Sequence, residues 1–283
     1  MKGQIVQTPF RIVNAFGDAL HGEVRCRADR GRLPAVIVCH SFMAFKDWGF
    51  FPYAGEQLAL ADFAVVSFNF SLNGVDGDGN RITLFSKFES NTVSRELHDL
   101  ATVVDAVASS GLNVGSVDPT RIGLLGHSRG GGLAILHAAS DRRIGALATW
   151  SSIATFDRWT KHQKTLWRQR GFLPLAKDTT ASPLRLGVGL LDDIEQRSEE
   201  FNVPSAASRL KIPWLLVHGK ADVIVPSSEA GRLYEAADHS RTTLFLLDHV
   251  GHLYNAATAD EDHYQTLKTI VGQTTNWFHH QFL

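Results

Sequence analysis

Six short, largely apolar runs recur along this chain, at residues 35–39, 64–68, 122–125, 144–150, 214–217 and 244–247. The continuous runs at 35–39, 64–68 and 122–125 read as strands buried on both faces, and the other three as further strands. Helical patterns lie between them. Residues 47–61 read as a helix with Pro52 in its first turn. Val93, Leu97, Leu100, Val104 and Val107 step by four and three, forming one apolar helix face. Residues 128–140 and 227–237 follow as helices, and Tyr264, Leu267, Val271, Thr274 and Phe278 repeat the four–three rhythm. Alternating buried strands and helices specify an α/β fold: a mostly parallel sheet with helices on both faces. Residues 24–27 read as an early edge strand. Between about 157 and 210 the rhythm breaks into aromatic and charged sequence, read as a cap-like insertion within a single domain spanning 1–283.

Composition narrows the function classes. The 283 residues carry 28 Lys+Arg against 29 Asp+Glu, a net charge of −1. No basic excess exists to hold phosphates, so neither nucleic acid nor a membrane surface is an expected partner. With 44% hydrophobic residues the chain can bury a core, which excludes disorder. Its 2 Cys, Cys26 and Cys39, are too few for a disulfide scaffold and read as buried thiols. The first ten residues lack the apolar core and cleavage site of a secretory leader, so a cytoplasmic location is expected. A homodimer is left open.

Gly126-His127-Ser128-Arg129-Gly130 directly follows the 122–125 strand and opens a helix. In that setting G-x-S-x-G is a nucleophile elbow: a turn too sharp for flanking side chains, lifting the Ser hydroxyl over the sheet at a helix N-terminus. A serine hydroxyl needs a base, and the base an orienter, in the chain order Ser, acid, His. Asp222 lies just past the 214–217 strand, and His252 just past the 244–247 strand. Gly251 allows a tight turn before His252, which is preferred over His249; Asp222 is preferred over Asp193 and Asp248. The backbone N–H groups of Arg129 and Phe42 are the expected oxyanion donors. His40 is expected to brace the oxyanion loop. Aromatic residues near the carboxyl edge of the sheet, Trp150 and Trp159 foremost, with His127, are the candidates for the substrate pocket. No metal or cofactor is expected: the run 76–80 begins like a calcium loop, but its sixth and twelfth positions are Arg81 and Lys87.

With these residues in view the chain resembles an α/β-hydrolase over nearly its whole length, most closely the dienelactone-hydrolase-like and prolyl-oligopeptidase-like bacterial hydrolases that include cinnamoyl (feruloyl) esterases. The resemblance rests on His40-Ser41-Phe42 with Phe45-Lys46-Asp47-Trp48, on 118–123 running into the elbow, and on His218-Gly219 with Asp222, Val225, Pro226 and Gly251-His252. It implies Ser128 as nucleophile, Asp222 as acid and His252 as base, acting on a small-molecule ester. One departure is Ser41, where the family usually has Gly. The alternatives are a peptidase or amidase of the prolyl-oligopeptidase-like type and a catalytically silent binding protein on the same scaffold.

Overall fold

A computed structural model describes residues 4–77, 79–112, 114–175, 184–254 and 261–283. In chain order the elements are β1 (Ile5–Val13), β2 (Ala19–Arg27), β3 (Leu33–Cys39), α1 (Phe51–Leu60), β4 (Ala64–Phe68), α2 (Phe85–Glu89), α3 (Val93–Ala108), β5 (Val117–His127), α4 (Arg129–Ala138) and β6 (Ile144–Trp150). Then come α5 (Lys161–Arg170), β7 (Phe172–Pro174), β8 (Arg185–Gly187), α6 (Val188–Gln196), α7 (Val203–Arg209), β9 (Trp214–Gly219), α8 (Ser227–Ala236), β10 (Thr242–Leu247) and α9 (Glu261–Phe282).

Eight strands form one sheet in the order β1-β2-β4-β3-β5-β6-β9-β10. The pairings from β4 through β10 are parallel, while β1–β2 and β2–β4 are antiparallel. The apolar runs of β3, β4, β5 and β9 are continuous because both faces are covered; the run in β10 is not, since that strand is the sheet edge and Leu246 is exposed. In β3, Ala35, Ile37 and Cys39 join the core beneath α3, α4 and α8, while Val36 and Val38 join the core beneath α1 and α9. The expected mostly parallel sheet with helices on both faces is the one found. No helix among the described residues is long and apolar enough to cross a membrane.

Three local expectations change. Residues 24–27 are not an edge: they belong to β2, which pairs on both sides, and β1 forms the edge. The half-exposed alternation of β1 carries a weaker signal than the fully buried runs. Helix α1 begins at Phe51 instead of residue 47, because Gly49 takes a left-handed φ of 57° and breaks the turn before it. An Asp-Pro pair signals a turn in the sequence, yet Asp118 and Pro119 lie inside β5, where the pairing with β3 slips its register. Residues 157–210 hold α5, the antiparallel pair β7–β8, α6 and α7; residues 176–183 of that stretch lie outside the described residues.

Candidate active site

The site is assembled where β3, β5, β9 and β10 end. At the end of β5 the chain reverses into α4 within one residue, and Ser128 takes φ 56° and ψ −119°. A non-glycine residue held there stores about 1–3 kcal/mol of backbone strain. The turn is too tight for side chains beside it. A Cβ on Gly126 would lie 2.4 Å from the Gly130 carbonyl oxygen, and one on Gly130 would lie 2.3 Å from that of Cys39. Helix geometry leaves the Arg129 N–H, in the first turn of α4, without an intrahelical acceptor.

Asp222 sits in the loop after β9 with its side chain fully shielded. Its Oδ1 accepts the N–H groups of Ile224 (2.9 Å) and Val225 (2.8 Å), and its Oδ2 accepts His252 Nδ1–H at 2.7 Å. Burial alone would raise this carboxyl, but the His252 bond and those two N–H groups hold it below the usual range. A carboxylate can only accept, so His252 carries its proton on Nδ1 and leaves Nε2 free to accept.

After β3, His40 is buried and braces the loop that follows. Its Nδ1–H donates to the Ser41 carbonyl at 2.9 Å, and its Nε2 accepts the Phe70 N–H at 3.3 Å. Burial pushes its pKa down to about 4, so it stays neutral. Near the start of this loop it is Met43, with φ 59°, and not Ser41 that is left-handed, so Ser in the usual glycine position carries no φ strain.

Ser128, Arg129, Phe42 and His252 line one cavity of about 280 Å³. Its walls are mostly apolar and include Met43, Trp48, Phe156, Trp159, Ile224 and Leu253. Of the three aromatic and imidazole candidates, Trp159 lines this cavity, while Trp150 and His127 do not. They are register partners at the ends of β6 and β5 and both turn to the α1/α9 side of the sheet. There Trp150 is fully buried and donates its Nε1–H to Thr274 Oγ1 at 3.0 Å. His127 packs edge-on against Phe50 and donates Nε2–H to the His252 carbonyl at 3.1 Å.

The rival residues stand apart from the cavity. Asp193 on α6 accepts the Ser94 N–H at 2.9 Å, while Asp248 is exposed and pairs with Lys220 at 2.8 Å. His249 is exposed with a left-handed φ of 59°. Sequence reasoning missed a buried ion pair beneath the elbow. Arg129 Nε donates to Glu96 Oε2 at 2.6 Å, with both side chains over nine-tenths buried. The signal was present, since Glu96 falls inside the apolar stripe of α3, but its partner 33 residues on was not. A second clamp was also missed: Arg158 donates to Glu229 Oε1 at 2.6 Å and to the Ile224 carbonyl at 2.8 Å, tying the loop after β6 to the Asp222 loop.

A family model described as the alpha/beta hydrolase family matches residues 36–262. No curated protein matches the chain. Among solved structures it is similar to the alpha/beta hydrolase GrgF from Penicillium sp. sh18 (TM-score 0.74, 16% identity, 98% of this chain and 99% of that one). It is similar to Est1E from Butyrivibrio proteoclasticus with ferulic acid bound (TM-score 0.69, 18% identity, 95% and 98%). A third likeness is to the esterase domain of a Rhodothermus marinus protein (TM-score 0.61, 18% identity, 96% and 98%). At these identities the likenesses establish a shared fold.

Proposed function

The chain belongs to the alpha/beta hydrolase family, and on that premise we propose that it is a serine hydrolase cleaving carboxylic esters through an acyl-enzyme on Ser128. The observation that carries this reading is the Asp222–His252 bond of 2.7 Å, with His252 and the strained Ser128 lining one cavity. Ser128 Oγ attacks the ester carbonyl while His252 Nε2 takes its proton. The oxyanion that develops is held by the N–H groups of Arg129 and Phe42. Asp222 keeps the imidazole in the required tautomer and stabilises the imidazolium. His252 returns the proton to the departing alcohol, and water repeats the sequence to release the acid.

The apolar and aromatic cavity wall suits an uncharged aromatic or short aliphatic acyl group, which the near-neutral chain need not steer electrostatically. The binding of ferulic acid by a relative of the same fold supports aromatic acyl esters as the first substrates to try. The test is a panel of p-nitrophenyl esters of increasing acyl length and aromaticity, with matched anilides, on wild type and Ser128→Ala. Wild type is expected to hydrolyse esters over anilides with a burst of p-nitrophenol, and Ser128→Ala to lose about 10⁶ in kcat. Wild-type turnover by Ser128→Ala would overturn the reading.

A further inference from the structure

His252 stands after β10 on residues 248–254, which form neither helix nor strand, flanked by the left-handed residues His249 and Tyr254 (φ 59° and 56°). No sheet ladder sets the position of its backbone. Its carbonyl oxygen instead accepts the Nε2–H of His127, at 3.1 Å. His127 is the residue immediately before Ser128, so one imidazole joins the nucleophile's turn to the base's own main chain.

We propose that His127 is a positioning residue for the base, its hydrogen bond to the His252 carbonyl setting how the His252 imidazole stands toward the Ser128 hydroxyl. The inference rests on the reading of Ser128 and His252 as nucleophile and base. The His127 ring is held rigidly for the task. It is 1% exposed and lies edge-on to Phe50, Phe51 and Tyr254, with centroids 5.0, 6.0 and 5.9 Å away. A carbonyl can only accept, so the proton of His127 sits on Nε2. Its Nδ1 is buried and finds no hydrogen-bond partner among the described residues. Protonating Nδ1 would therefore bury an unpaired charged N–H, and burial together with His252 nearby pushes the His127 pKa down to about 3. The two rings are 4.8 Å apart. Because His127 stays neutral, it can lie this close to His252 without opposing the charge that His252 acquires when it takes the Ser128 proton. The segment is also anchored on either side, where the Val250 carbonyl accepts the Ala221 N–H at 3.0 Å and the Tyr254 hydroxyl donates to Ser151 Oγ at 3.0 Å, so loss of the His127 bond loosens the main chain at His252 itself, and a misplacement of about 1 Å can cost about 10² in rate.

Three substitutions separate positioning from packing. His127→Leu keeps bulk and removes the donor. His127→Asn keeps an amide too short to reach the carbonyl. His127→Gln places an N–H near the position of Nε2. Each is assayed for p-nitrophenyl ester turnover and for the rate of Ser128 labelling by a fluorophosphonate, alongside a thermal melt. The expected result is a fall of about 10² in kcat and in labelling rate for Leu and Asn, with KM within about twofold of wild type. Gln is expected to recover most of the loss. Should Leu fail to fold, the Asn–Gln contrast decides. Equal activity of Asn and Gln, or wild-type kcat in Leu, overturns the positioning role. Failure of the fluorophosphonate to label Ser128 in folded wild type overturns the serine-hydrolase reading itself, and the inference with it.

Discussion

Replacing Asp222 by Asn tests the site at the point where its geometry is most fully specified. The carboxylate has two separate duties. Oδ1 accepts two backbone N–H groups, from Ile224 and Val225, and Oδ2 accepts His252 Nδ1–H. The Asn carbonyl can take over the first duty unchanged, which keeps the loop folded. Its NH₂ then faces His252 and can only donate. His252 must answer with an unprotonated Nδ1, moving its proton to Nε2, and that nitrogen can no longer accept from Ser128. The expected loss is about 10⁴ in kcat, roughly 5 kcal/mol of transition-state stabilisation, with the melting temperature lowered by only a few degrees. Burst and steady-state kinetics on a p-nitrophenyl ester, paired with calorimetry, measure both halves. A folded Asp222→Asn enzyme within about tenfold of wild-type kcat would refute the tautomer argument and move the acid elsewhere.

Glu96→Gln strands the Arg129 guanidinium without its buried counter-charge, and urea unfolding should register about 3–5 kcal/mol of lost stability. Combining Glu96→Leu with Arg129→Met should recover most of that stability, because the buried charges leave together. His40 and His127 are held down to about 4 and 3 from an ordinary 6.5, so the unfolded chain binds their protons first as pH falls. Their contribution is complete above pH 6.5 and shrinks below it, by about 2 kcal/mol for each at pH 5, which unfolding curves at pH 7 and 5 can check. Trp159→Ala, on the cavity wall, should raise KM for aromatic acyl esters more than for acetates, whereas Trp150→Phe should leave that selectivity unchanged and lower stability, as its place in the buried core requires.

What could be seen in the sequence was local or periodic. The continuous apolar runs of β3, β4, β5 and β9 disclosed a sheet covered on both faces, because continuous burial erases the alternation that a wet face imposes. The elbow was legible because its glycines are demanded by clashes only a few residues away. Chain order then pointed to Asp222 and His252, which the fold brings within 2.7 Å of each other. The parity of side chains at the strand ends was decided by register. Trp150 and His127 sit one pleat away from the cavity, and nothing in their neighbours along the chain says which side of the sheet they face. The same holds for partners far apart in sequence. Glu96 could be seen as a charge on an apolar face, but only packing of α3 against α4 shows that Arg129 neutralises it. A histidine before Ser128 could be read in the sequence, but its bond to a carbonyl 125 residues away exists only because β5 and the loop after β10 end at the same edge. Short-range sterics and burial patterns are written in the sequence, while long-range pairing is set by which loops the sheet order brings together.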